Sequence, residues 1–367
     1  MAGLLVAPIP MQRCVAIAKF RRPARLIIQP KGSAASDLIL GAEALNRPPL
    51  PCFYSIMTAF HSRFVTRHPT TLELKRKETV PDGIRRIICE RIDKALDVLN
   101  HRTIVRDEAV HEARKRFKEV RGVLRLVRSE LGEKQFSREN RTFRDAGRPL
   151  SQLRDARVLL DTLDELAARY GITRSSASFK HLRLTLAARR REIRRRVFKK
   201  DRATPSIVRE VRASSRRVGK WSLRRKGWKA IADGLRETYG KCREAMHAAL
   251  RDSDDESLHE WRKRTKILRY EIELLARAFP DVMEPMAEAS HRLTHLLGKD
   301  HDLAVLQQLL ENELRPVADT ERELLKPLVE QRRKELLKEG RDLGRKLFAE
   351  NDEEFVRRIH GYWKAWR

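Results

Sequence analysis

From Val80 onward, apolar residues recur every three or four positions, the spacing of an amphipathic helix that buries one face. Pro81 suits a first helical turn, and Ile84, Ile87, Ile88, Ile92, Leu96 and Leu99 then trace one stripe. A second helix is predicted over residues 107–131, with Ala113, Phe117, Val120, Leu124, Val127 and Leu131 on its apolar side. A third passes through Leu153, Val158, Leu159, Leu163 and Leu166 and stops near Gly171. A fourth, over residues 178–200, carries Leu182, Leu186 and Ile193 beside two triple-arginine runs at 189–191 and 194–196.

Residues 201–227, with Thr204-Pro205, Ser214-Ser215 and Gly219, read as a basic connector. The cycle then restarts. Helices are predicted over 228–250 and 257–279, the latter with Trp261, Leu268, Ile272, Leu275 and Phe279 on its apolar side. Another runs from Pro285 to Leu297, is interrupted near Gly298 and continues to Leu314. A long helix from Thr320 to Phe348 and a short closing segment with Phe355, Tyr362, Trp363 and Trp366 complete the chain. Strand-like alternation is nearly absent after residue 80, so the class expected is all-α, with two four-helix bundles over 80–200 and 228–367. Residues 1–75 lack a sustained period and are expected to be a disordered N-terminal extension, with Met57 a candidate true start that would leave residues 1–56 untranslated.

The polar positions carry a repeat. His111-Glu112-Ala113-Arg114-Lys115-Arg116-Phe117-Lys118 and His259-Glu260-Trp261-Arg262-Lys263-Arg264-Thr265-Lys266 share the pattern H-E-x-R-K-R-x-K-x-x-R, closing at Arg121 and Arg269, at an offset of 148 residues. A weaker second match, at offset 147, aligns Asp155, Val158 and Leu159 with Asp302, Val305 and Leu306. Two related halves follow.

Helical phase sorts these residues. Taking 100° per residue from His111, Arg114, Lys115, Lys118, Arg121 and Arg125 fall within about 80° on one side and 40° on the other. From His259, Arg262, Lys263, Lys266 and Arg269 group in the same way. A charge run on an amphipathic helix is usually its solvated face, but solvated faces mix signs because Glu and Lys at i and i+4 support each other. Two stripes of one sign repel within themselves, so an arrangement held twice argues for an anion placed there.

Composition agrees. The 80 basic and 51 acidic residues give a formal charge of +29, which points to a polyanionic partner, while 41% hydrophobic residues suffice for a packed core. Cys14, Cys52, Cys89 and Cys242 are far apart without C-x-x-C spacing, so neither a disulfide framework nor a zinc site is suggested, and a reducing cytoplasm fits. No apolar run reaches the ~18 residues needed to span a bilayer.

On these residues the chain resembles the CHAD domain, the conserved histidine α-helical domain, whose halves carry patterns like H-x-x-R-x-x-x-[RK]-x-x-R and a later aspartate-containing helix. His111, Arg114, Lys118 and Arg121 fit the first half; His259, Arg262, Lys266, Arg269 and Tyr270 fit the second; Arg154-Asp155 and Gly298 with Asp302 fit the later elements. The resemblance spans residues 80–367. It implies two pseudo-symmetric bundles around a basic surface that binds inorganic polyphosphate without catalysis, in the cytoplasm and at polyphosphate granules. Such domains are often attached to a CYTH triphosphate-tunnel barrel; Thr71-Leu72-Glu73-Leu74-Lys75 is similar to that barrel's opening E-x-E-x-K, but Thr71 replaces the first glutamate and no run of strands follows.

The chemistry suits that ligand. Polyphosphate offers closely spaced charges and no bases, so its receptor needs rows of Arg forks and Lys ammonium groups and nothing that stacks. Protonation of His111 and His259 beside phosphate is expected to tighten binding as the pH falls toward 6. The alternative partner is a nucleic-acid backbone, which any row of cations attracts, although the stripes carry neither the aromatic platforms of single-strand binders nor the Asn and Gln of base readers. A zinc helix H-E-x-x-H is excluded because Lys115 and Lys263 stand where its second histidine belongs. His301-Asp302 is an H-D pair of the kind found in metal phosphohydrolases, with His291 and His295 nearby, but Arg154 takes the histidine's place in the first half. No metal, cofactor or catalytic residue is expected.

Overall fold

Eleven α-helices occur among the residues that the computed structural model describes, 72–100, 106–173, 177–197, 203–312 and 319–367. They are α1 (Val80–Asn100), α2 (Arg106–Leu126), the single turn α3 (Arg128–Leu131), α4 (Glu133–Tyr170), α5 (Ala177–Arg195), α6 (Ala203–Val218), α7 (Ala232–Asp252), α8 (Asp255–Leu275), α9 (Pro280–Asn312), α10 (Asp319–Leu347) and α11 (Asp352–Trp366). No strand occurs among the described residues. The described residues belong to one unit; residues 1–71, with the disorder and the Met57 start expected of the N-terminal extension, lie outside the described residues.

Local signals end the helices where the sequence places them. Gly171 closes α4 in the left-handed conformation, φ 65°, which costs glycine little. Asp254 caps α8 by accepting from the Ser257 amide at 2.7 Å. A reciprocal pair between Asn351 and Glu354 starts α11.

Three elements differ from expectation. The connector expected over 201–227 is helical along α6, because Ile207, Val211 and Val218 form a buried stripe against α1 and α4. Gly298 does not interrupt α9, which runs unbroken from Pro280 to Asn312. Residues 72–75 of the expected extension belong to the helical unit: Leu74 is 1% exposed and its amide donates to the Leu274 carbonyl at 3.0 Å.

The pairing order repeats along the chain. α1 packs on α2, α2 on α4 and α4 on α5; likewise α7 packs on α8, α8 on α9 and α9 on α10. The halves then join through α2 with α8 and α4 with α9. Burial follows the joint more than the halves. One large core gathers α1, α2, α6, α7, α8 and α11 with the near ends of α4 and α9, and a smaller core unites the far ends of α4 and α9 with α5 and α10. The apolar faces predicted for α2 and α8 are buried, with Phe117 2% and Trp261 0% exposed, except that Phe279 ends 39% exposed just before α9.

Candidate functional site

The contact between α2 and α8 sets the site. Lys118 and Lys266 occupy equivalent positions in the repeat, 148 apart, and each lies within the other's electrostatic reach, as do Arg114 and Arg262. One turn on, Gly122 meets its own equivalent: a β-carbon there would stand 3.1 Å from the Cβ of Tyr270. Small faces large at that crossing, which lets the two backbones approach. Equivalent residues meeting is the pattern of an isologous contact, here made inside one chain.

A cleft of about 780 Å³ opens between the halves at this crossing. Arg114, Lys118, Arg121 and Arg125 line it from α2, and His259, Arg262, Lys263 and Lys266 from α8. Three of the expected site residues lie outside its lining. His111 is exposed on α2, Lys115 stands beside it, and Arg269 turns away to an ion pair with Glu273 at 2.6 Å. Glu273 follows Arg269 by one turn on the same helix, and its equivalent in the first half is Arg125, so the two stripes diverge at that end.

The lining also holds residues that helical phase alone did not select. Arg154 and Asp155 enter from α4, and His301 and Asp302 from α9. The signal for them was the weaker repeat at offset 147, which aligns Asp155 with Asp302. Arg264 falls ~140° from His259 by phase, yet it too lines the cleft. Nine cationic side chains and three carboxylates, Asp155, Glu260 and Asp302, make up the charged wall, a formal excess of six.

The carboxylates are unevenly shared. Arg114 donates to Ser151 at 2.9 Å, and Ser151 passes a hydrogen bond to Asp155 at 3.0 Å. Glu260 pairs with Lys263 and, at 2.6 Å, with Arg264. Among the described residues no ion pair reaches Lys118, Lys266, Arg262 or Arg125. The Nε of Arg262 is buried without a hydrogen-bond partner, and so is the Nδ1 of His259.

Titration follows from that imbalance. Burial first, then the charges of Arg262, Arg269, Arg154 and Arg114, hold Lys266 down at about 7. Lys118 is likewise lowered well below its ordinary value by burial and by Lys266, Arg114, Arg154 and Arg262. Burial and the neighbouring Arg121 and Arg264 push Arg125 down to about 10. His259 falls to about 4, through burial and then His301, whose ring centroid is 4.3 Å away, and Lys263. His111 is lowered too, by desolvation and then by Arg154, Lys115 and Lys118, against the opposing pull of Glu112. Burial and neighbouring cations thus hold both motif histidines below the ordinary imidazole value and both motif lysines below the ordinary ammonium value.

The CHAD domain profile matches residues 90–311, more than half of the chain. The chain belongs to the CHAD domain family. A crystal structure of the CHAD domain from the plant Ricinus communis is similar to it at 16% identity and a TM-score of 0.48, covering 83% of this chain and 98% of that one. No curated protein matches the chain.

The matched region of this CHAD domain contains every residue that lines the cleft, from Arg114 to Val305. Its motif cations divide by neighbour rather than by position. Arg116 pairs with Glu112 and Glu119, while its equivalent Arg264 pairs with Glu260, has Ile267 where Glu119 stands, and stays in the cleft lining. Beyond the cleft, the arginine run on α5 is partly engaged, Arg190 with Asp107 and Arg195 with Glu192. No helix among the described residues is long and apolar enough to cross a membrane.

Proposed function

We propose that the cleft binds inorganic polyphosphate and does not hydrolyse it. The observation that carries this reading is the meeting of Lys118 with Lys266 among Arg114, Arg154 and Arg262, with no carboxylate in ion-pair contact with either lysine. Such a cluster is disfavoured while empty and relieved by an anion, so it suits a ligand of high charge density. The family's association with polyphosphate supports the same ligand. Apart from the imidazoles of His259 and His301, the one aromatic ring in the cleft's described lining is Tyr270, which is 3% exposed and offers no open face on which a base could stack, and this favours a phosphate chain over a nucleic acid. The role served is anchoring, of the protein to polymer or of polymer at cytoplasmic granules.

The deciding experiment is calorimetric titration with polyphosphate of defined lengths. Affinity is expected to climb with length until the cations of both halves are engaged. A variant with Arg114, Lys118, Arg262 and Lys266 all changed to Ala is expected to lose that binding. Unchanged binding by the variant places the site elsewhere, with α5 next to be tested. Displacement of long polyphosphate by RNA or DNA at equal phosphate concentration overturns the choice of ligand, and phosphate release in the presence of magnesium or manganese overturns the absence of catalysis.

A further inference from the structure

Lysines in and around the cleft differ in what faces their amines. Lys263 is paired with Glu260, and Lys299 with Glu165. Lys118 and Lys266 face cations instead. On α8 these are Arg262 and Arg269, on α2 Arg114, and on α4 Arg154; the carboxylates of Asp155 and Asp302 lie in the same wall but out of ion-pair range of either lysine. An ammonium has no lone pair, whereas the neutral amine that such surroundings favour is a nucleophile, as in lysines activated by a second cation.

The same cations can orient a reagent. Arg114 and Arg262 are planar forks suited to a phosphate dianion; each stands one helical turn before its lysine, and all four side chains line the same cleft. A small molecule with a phosphate at one end and an electrophilic carbonyl next to it would be held with that carbonyl near an amine. Acyl phosphates have that build. We propose that the Lys118 and Lys266 pair is an acylation site for small acyl phosphates, whose phosphate is held by Arg114 and Arg262.

In the step, the amine nitrogen attacks the carbonyl carbon, the bond from that carbon to the phosphate oxygen breaks, inorganic phosphate leaves, and the nitrogen gives up one proton as the amide forms. No electrons are exchanged with a third party. The amide carries no charge, so acylation of Lys266 removes one of the cations that lower Lys118, while Arg114, Arg154 and Arg262 remain. The modification removes a central cation and weakens the hold on polyphosphate, which makes the cleft responsive to the supply of activated acyl groups.

The inference rests on the cleft's affinity for phosphate, and the experiment separates the two. The full chain is incubated with acetyl phosphate at about pH 7.5 and its acetylated lysines are mapped by mass spectrometry over time. Acetylation within the pair is expected to run at least about tenfold faster than at Lys220 and Lys346, which are exposed and outside the cleft. Acetic anhydride, which lacks the phosphate, is expected to show a smaller preference. Lys266→Arg is expected to confine the label to Lys118, and the map on the unaltered chain stands whether or not that variant folds. Equal rates at the pair and at the surface lysines overturn the inference. Preferential acetylation that long polyphosphate fails to suppress leaves the acylation site standing and overturns the reading of the cleft as a polyphosphate site.

Discussion

The guanidinium of Arg262 rests against α9 at Gly298, where a β-carbon would stand 3.1 Å from Nε and 3.3 Å from Nη2. Glycine is needed there for space, since α9 is continuous through it. Gly298→Ala therefore moves Arg262 while improving the helix. Alanine adds ~0.5–1 kcal/mol of helix preference, so the melting temperature is expected to hold or rise. Affinity for polyphosphate is expected to fall about three- to tenfold, the loss of one charge-assisted contact. Calorimetry beside a thermal melt checks both, and unchanged affinity removes Arg262 from the site.

Lys266 is held against its neighbours' charge. Replacing it by Met keeps much of its length and removes the repulsion, so Lys266→Met is expected to stabilise the free protein by ~1 kcal/mol. The same change is expected to weaken polyphosphate binding about tenfold. A denaturant titration in the absence of polyanion reads the first effect; a loss of stability there shows that the lysine is not strained in the empty cleft.

Proton uptake marks the ligand's arrival. Lys266, at about 7, is mostly neutral at pH 8, and a bound phosphate chain must restore its charge. Binding is expected to be about tenfold weaker at pH 8 than at pH 6 and to take up close to one proton per site at pH 8. Titration in two buffers of different ionisation enthalpy measures that uptake. His259, held at about 4, is neutral across this range in the free protein. The free protein shows the matching sign: because Lys266 has a lower pKa folded than unfolded, the unfolded chain binds more protons between about pH 7 and 10, and stability rises through that window. A flat profile for both quantities rules out Lys266 as the responsive group.

Glu260 restrains two cations of the wall, Lys263 and Arg264. Glu260→Gln frees both, and the affinity for polyphosphate is expected to rise severalfold, with a steeper dependence on salt concentration. Pairs this exposed contribute ~0–1 kcal/mol to stability, so the fold is expected to tolerate the change. Weaker binding by the variant shows instead that Glu260 orients the cations usefully.

Much of this was legible along the chain. The all-α class, the stop at Gly171, the buried stripes through Phe117 and Trp261, and eight of the cleft's cations and histidines followed from periodicity and from the 148-residue repeat. Helix-forming pattern and phase are local properties, decided by residues three and four apart. The helix α6 was missed because its apolar stripe, Ile207, Val211 and Val218, is narrow and is flanked by the turn-forming residues that suggested a connector.

What the sequence by itself determined was which side of α2 and of α8 bears charge, and that the arrangement occurs twice. Only the tertiary structure decided which charges remain uncompensated. Arg269 and Arg116 follow the motif as faithfully as Lys266 does, yet each finds a carboxylate on its own helix and stands outside the cleft lining, while Arg154 comes in from α4 to sit within reach of both lysines. Phase gives a side chain its direction but not its neighbours. Those are set by how closely helices far apart in the chain approach, at crossings such as Gly122 with Tyr270, and the field at each amine is a sum over all of them.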